Sequence, residues 1–222
     1  MKSIPKRLEL VFHFYPSIHF ILVFSFAFMS LTAQNKSTWM IGLVFVAYFL
    51  SPLIWRGFLI RFGLPEGYAT IGKKAEKGNL WLVSYQLQQL YNSFHFFETA
   101  LKIFPGLYSC WLRLWGAKIG EKVNWTPGSK IVDRSHIEIG DKCLIGNLSY
   151  LSSHALKKKG NTYFLYLKKI KIQAQSVVSY HTTVSPGVIM KEGSFLAAGG
   201  VLYPNKVLEK GESFERFQEL SQ

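Results

Sequence analysis

From Ile172 onward every sixth residue is apolar: Ile172, Val178, Val184, Met190, Leu196 and Leu202. Four places after each of the first five stands Ser176, Thr182, Val188, Ser194 or Gly200, all small or β-branched. This period is neither the roughly 3.6 residues of a helix nor the alternation of a plain strand. It fits a solenoid in which each hexad lays down one flat face and three hexads close a coil. The aliphatic residue then points into a narrow core and the small one fills a crowded corner. Upstream, Ile119, Trp125, Ile131 and Ile137 keep the spacing, the tryptophan fitting poorly. A two-residue slip follows, and the repeat resumes at Ile139, Ile145 and Leu151, whose fifth positions are Cys143, Ser149 and Ala155. About eleven or twelve hexads, roughly four coils, are expected. The many Gly, Ser, Thr and Val residues of this half disfavour helix.

The first quarter obeys a different rule. Residues 14–33, "FYPSIHFILVFSFAFMSLTA", and 38–55, "TWMIGLVFVAYFLSPLIW", contain no Asp, Glu, Lys or Arg. A bilayer core of about 30 Å needs about 20 apolar residues in helix, so a transmembrane hairpin is expected, the second span being short and holding Pro52. Lys2, Lys6 and Arg7 precede it, and Arg56, Arg61, Lys73, Lys74 and Lys77 follow. The positive-inside rule places both flanks in the cytoplasm and makes the protein integral to the cytoplasmic (inner) membrane. A signal peptide is the competing reading of the first segment, although a second span follows and no small-x-small cleavage site is clear. Two core helices of a soluble domain would carry the same pattern. Residues 79–104 are aromatic-rich but interrupted by Gln86, Gln88, Gln89, Asn92, Glu98 and Lys102, which reads as one helix lying in the membrane interface up to Pro105-Gly106. His95 on this stretch reads as structural.

The formal charge is +13 over 222 residues. Without a nucleic-acid motif, anionic lipid or a phosphate-bearing substrate explains it better than nucleic acid. Cys110 and Cys143 fall in segments of different character, which argues against a disulfide framework and suits a reducing compartment.

From Arg113 to about Val207 the chain resembles the left-handed β-helix, hexapeptide-repeat acyltransferases. The opening "RLWGAKIGEKV" resembles the family's first coil, and "VSPGVIMKEGSFLAAGGVLYPNKV" its proline-glycine and alanine-glycine coils. It is most similar to acetyltransferases of surface-glycan biosynthesis, and also to the membrane-attached β-helical C-terminal domains of poly-amino-acid synthetases. The expected fold class is therefore α + β: an N-terminal transmembrane helical hairpin and interfacial helices, then a left-handed parallel β-helix. The expected divisions are a hairpin at 1–63, interfacial helices at 64–116, the β-helix at 117–208 with a loop extruded at 157–171, and a tail at 209–222.

The resemblance implies acyl transfer from a thioester, with acetyl-CoA, a longer acyl-CoA or an acyl-carrier protein as donor and no resident cofactor. It also implies a homotrimer; membrane lipid is a further partner, and the acceptor is a lipid-linked or amphipathic alcohol or amine. A base must take the nucleophile's proton, and histidine titrates near neutrality. His154, where the repeat stops after the Leu151 hexad, matches the position of the family's base; the alternative is a loop-root histidine that caps backbone. Counting three hexads per coil, Gly187 lies one coil beyond His154 and leaves open space beside its ring. On the other side, allowing for the slip, Arg134 lies below His154 and Asp133 below Ser153, where Asp133 could orient the imidazole. Asn147 resembles the family's GN pair, either positioning substrate or turning a corner. Ala197 and Ala198 offer backbone along the path of the pantetheine arm, and Lys206 a cation for the donor's phosphates. Lys157, Lys158, Lys159, Lys168, Lys169 and Lys171 bracket "GNTYFLY" and could hold phosphate, an acidic carrier protein or anionic lipid. His136 and His181 read as outward-facing. A β-helical zinc hydratase would need three converging histidines, and His136, His154 and His181 lack the paired spacing. A membrane-anchored scaffold that only binds remains the non-catalytic reading, favoured by the absence of an Asp beside His154 and of Gly in "IQAQSV" and "VSYHTT".

Overall fold

The computed structural model describes residues 3–71 and 78–215. Lys2, Lys73, Lys74 and Lys77, counted above among the cationic flanks, lie outside the described residues. The chain divides into two compact units, one built from Lys2–Pro65 and Ala75–Phe97, the other from Glu66–Lys74 and Glu98–Gln222.

The first unit is helical: α1 (Lys6–His13), α2 (Tyr15–Thr32), α3 (Lys36–Tyr48), α4 (Leu50–Phe62) and α5 (Leu80–Ser93). The run Lys6–Thr32 is long and apolar enough to cross a membrane, and little of it is buried within the protein. The second expected span is broken, because α3 and α4 meet at a 44° bend. Pro52 explains the break: it has no N–H for the Tyr48 carbonyl, and its ring crowds that oxygen. Polar groups among these apolar helices find partners. His19 Nε2 donates to the Val46 carbonyl (2.9 Å), so its Nδ1 accepts from Ser51 Oγ (3.2 Å), whose oxygen accepts from Tyr15 (2.8 Å). Residues 79–104 do not form one interfacial helix. The stretch breaks at Phe94–His95, and α5 buries Trp81, Val83, Leu87, Gln88, Leu90 and Tyr91. Its spacing of apolar groups is that of a core-facing stripe. Gln88 enters the stripe because its amide donates to the Ser84 carbonyl and hydroxyl one turn back, and Tyr91 donates to the Ala47 carbonyl.

The second unit begins within α6 (Phe96–Ile103), continues through α7 (Leu107–Leu114), and is then built from short parallel strands. These strands visit three sheets in strict rotation. Ile119, Ile139, Ile172, Met190 and Leu208 stack in one sheet. Trp125, Ile145, Val178, Leu196 and Phe214 stack in the second, and Ile131, Leu151, Val184 and Leu202 in the third. Nearly all of these side chains are buried, as are the corner residues Cys143, Ser149, Ser176, Thr182, Val188 and Ser194. The corners are tight. A methyl group on Gly140 would stand 2.5 Å from the Ala174 nitrogen, and one on Gly146 2.5 Å from the Ser179 carbonyl carbon. Trp125 closes the first coil by donating its indole N–H to Ser109 of α7 and meeting the Tyr108 ring edge-on. The stacking runs past residue 208, since Ser213–Phe214 pairs with Phe195–Leu196; the rest of the expected tail, 216–222, lies outside the described residues.

Two departures from the repeat shape the region around His154. The two-residue slip is taken up by a 3-10 turn at Arg134–His136, after which Ile137–Ile139 rejoins its sheet. The excursion after Leu151 is no loose loop but a β-hairpin. His154–Lys159 pairs with Thr162–Leu167, which pairs in turn with Gly67–Ile71. The hairpin thus starts at His154 itself rather than at 157, and the chain is back in its sheet by Ile170–Ile172. Leu165 and Leu167 are fully buried, which anchors the return strand of the hairpin.

Candidate active site

Asp133 precedes the 3-10 turn, and its backbone carbonyl accepts from the His136 N–H (2.9 Å). Its side chain is 1% exposed. Carboxylate Oδ2 accepts from the Ser153 backbone N–H (3.0 Å) and from His154 Nδ1 (2.7 Å). A buried carboxylate with two N–H donors is satisfied as an anion, and it fixes the proton of the imidazole on Nδ1. The other ring nitrogen, Nε2, lies on the edge away from Asp133, and the side chain keeps 17% exposure. Ser153 Oγ donates to the His136 carbonyl and Ser152 Oγ to the His154 carbonyl, locking the strand that presents the ring.

Beneath this pair lies an arrangement that sequence reasoning missed. Arg134, next to Asp133, is buried, and its Nε donates to Glu98 of α6 at 2.7 Å, with side-chain exposures of 1% and 3%. The guanidinium lies over the rings of Trp111 and Trp115, and Tyr108 donates its hydroxyl to the same Glu98 oxygen. Burial, with the Glu98 charge adding to it, holds the Tyr108 phenol well above its ordinary range, so it remains a donor. Lys102 Nζ lies over the Tyr108 ring (4.6 Å) and donates to the Ser129 carbonyl (2.6 Å). Burial lowers its pKa to about 8 despite the opposing Glu98 charge, with Arg134 adding to the drop. The available signal was Glu98 itself, an acid within an aromatic-rich stretch, because buried carboxylates require a cation.

The other anticipated residues fare differently. Gly187 is not bordered by open space. It adopts φ +74°, and a methyl group there would stand 2.5 Å from Asn205 Oδ1 and 2.7 Å from Lys168 Cδ. The stacking count left out the hairpin, whose return strand brings Lys168 into that space. Asn147 is exposed at a corner, where its side chain accepts from the Leu148 N–H and covers Gly128. Ala197 is half-buried, and Ala198 and Lys206 are exposed. His136 does not face outward: it is fully buried, with Nδ1 3.1 Å from Ser135 Oγ. His181 is exposed at a corner with φ +54°. The lysines flanking the hairpin separate into groups. Lys157, Lys158 and Lys159 are exposed, Lys168 donates to Asn205, and Lys169 and Lys171 join Lys118 around Glu138. Burial pushes the Glu138 carboxyl up, but Lys169 and Lys118 outweigh it and hold the group below its ordinary value. Among the described residues no cluster of three His, Cys, Asp or Glu side chains is placed to hold a metal ion.

No family model matches the chain, and no curated protein matches it. Among the several solved structures that overlap part of it are two transferases. One is AntD, an N-acyltransferase from Bacillus cereus in complex with dTDP-4-amino-4,6-dideoxyglucose and coenzyme A. It is 15% identical with a TM-score of 0.31, over 42% of this chain and 52% of that one. The other is a maltose O-acetyltransferase from Clostridium difficile 630, 16% identical with a TM-score of 0.33, over 50% of this chain and 76% of that one. The chain thus covers about half the length of the first and three quarters of the second. Overlaps of this size assign no chemistry to this chain.

Proposed function

We propose that the protein is a membrane-bound acyltransferase whose strand-coil unit is a left-handed β-helix and whose general base is His154. The observation that carries this reading is the 2.7 Å contact between His154 Nδ1 and a fully buried Asp133 carboxylate, where the repeat gives way to a hairpin. A histidine that only capped backbone would not need a buried anion behind its ring. With Nδ1–H held by Asp133, Nε2 takes the proton of an acceptor hydroxyl or amine as its oxygen or nitrogen attacks the thioester carbonyl. Asp133 stabilises the imidazolium so formed. The tetrahedral intermediate collapses by breaking the carbon–sulfur bond, and the imidazolium returns the proton to the departing thiolate. No covalent enzyme intermediate is required.

The donor in this reading is acetyl-CoA, with a longer acyl-CoA or an acyl-carrier protein as the alternative. Half-buried Ala197, exposed Ala198 and the Lys206 cation are the candidate contacts for its arm and phosphates, and Asn147 for the acceptor. A lipid-linked or amphipathic acceptor accounts for the apolar N-terminal helices, whose flanking cations put the catalytic unit in the cytoplasm. Assembly as a homotrimer would cover the open sheet faces of a short coil. The experiment is incubation of detergent-purified protein with membrane lipid extract and acetyl- or palmitoyl-CoA, with mass spectrometry of the lipids. An acylated species formed with wild type and absent with His154→Ala supports the reading and identifies both donor and acceptor. No product with either donor or with a charged carrier protein would leave the scaffold reading standing.

A further inference from the structure

Helix α2 and the C-terminal half of α5 line a groove of about 380 Å³, at the low end of the roughly 300–1,000 Å³ of ligand pockets. Phe20, Ile21, Leu90 and Phe94 form its apolar wall, and the partly exposed rings of Phe20 and Phe94 stack on each other at 5.6 Å. Its polar lining is Ser17, Gln89 and Ser93, with no charged residue among the described residues that line it. Gln89 stands apart from its neighbour. Gln88 is satisfied on Ser84, whereas the Gln89 carboxamide oxygen is buried without a hydrogen-bond partner among the described residues. A buried acceptor left unpaired costs free energy that a donor entering the groove would recover. The facing wall belongs to the Lys6–Thr32 run, which is long and apolar enough to cross a membrane and is little buried within the protein. A charged headgroup would find no counter-ion in this groove, and a small polar solute would leave its apolar wall unmatched. An alkyl chain that ends in a hydroxyl satisfies both parts.

We infer that the α2–α5 groove binds a single-chain membrane alcohol, a neutral lipid whose hydroxyl donates to Gln89 Oε1 and whose chain lies along Phe20, Ile21, Leu90 and Phe94. Gln89 is then the group that sets specificity, since an ether or ester can only accept and leaves its oxygen unpaired. The inference rests on the membrane reading of the N-terminal helices and not on acyl transfer.

The test uses the full chain in phosphatidylcholine nanodiscs, photolysed with hexadecanol carrying a mid-chain diazirine, and mass spectrometry of the labelled peptides. The site predicts saturable label in segments 16–21 and 89–94, competed by hexadecanol and not by hexadecyl methyl ether. Gln89→Leu should raise the hexadecanol needed for half competition roughly 5-fold, the loss of one hydrogen bond. The same variant should melt no lower than wild type, because it removes an unpaired buried acceptor. Ile21→Trp, which fills the groove and keeps the acceptor, should abolish the groove label. Label at Phe28 and Leu31, 64% and 75% exposed on α2, reports general contact with lipid and should be the same in every variant. Equal competition by alcohol and ether, or a groove label that survives Ile21→Trp, overturns the site and leaves the membrane reading standing. A Gln89→Leu protein that melts lower, or that competes like wild type, overturns it as well. Absence of label along the whole of α2 overturns the membrane reading and the site together.

Discussion

Glu98→Gln tests how the Asp133 turn is held. The substitution keeps the volume of the side chain and an oxygen that can accept from Arg134, but removes the charge. Arg134 and Glu98 are 1% and 3% exposed at 2.7 Å, so neither charge can turn to water for compensation. Removing one partner of such a pair costs about 3–5 kcal/mol, since the carboxylate facing the buried Arg134 cation at 2.7 Å loses its charge. At roughly 2–4 °C per kcal/mol for a chain of this size, the coil unit should melt roughly 6–20 °C lower. Hydrogen exchange of the 110–140 segment during heating reads that unit separately from the N-terminal helices. The double variant Glu98→Leu with Arg134→Met should regain most of the loss, because two apolar groups carry no unmatched charge. Turnover should fall with Glu98→Gln as well, since Arg134 is the first residue of the turn that follows Asp133. A Glu98→Gln protein that melts within about 1 °C of wild type would refute the reasoning, because Arg134 would then have another counter-ion.

Gly187→Ala should destabilise the coil unit by about 1–2 kcal/mol through its left-handed φ alone, and by more through the clash with Asn205; the denaturant midpoint measures it. Stability should also depend on Lys102. Its folded pKa of about 8 lies below the ordinary 10.5, so between those values the unfolded chain binds a proton that the folded chain does not. Stability therefore rises with pH across this window. Melts of Lys102→Met against wild type should show that slope lost, and parallel curves would show that Lys102 titrates normally. Asp133→Asn should lower turnover by a large factor, because the amide can donate to Nδ1 and turn Nε2 into an N–H; a pH–rate profile and KM, measured alongside kcat, separate that from loss of substrate binding.

The period of six was legible because a coil core of one side chain per face admits only aliphatic residues, and the same rule flags small residues at the corners. The slip, read as falling after Ile137, was legible as an irregularity, but its place at Arg134–His136 and its meaning were not. Two extra residues form the 3-10 turn that sets Asp133 beneath Ser153 and His154, so the repeat breaks where the site is built. The Glu98–Arg134 pair could not be read off, since its members stand far apart in sequence and belong to segments of opposite pattern. Residues 79–104 were misread as one interfacial helix because the glutamines interrupt the aromatic run, whereas Gln88 satisfies itself on Ser84 and joins the core of α5. The space next to Gly187 was misjudged because hexad counting assigns no place to a hairpin, and Lys168 and Asn205 fill it.

The central claim is that His154, held by Asp133, is the base of an acyl transfer. The most direct measurement is acceptor-dependent CoA release by purified wild type and His154→Ala, with the oligomer and melting temperature of both recorded. The account predicts release by wild type and its loss in a variant that is folded and assembled like the parent. Equal release by the two proteins would contradict it, and would make His154 only the first residue of a hairpin.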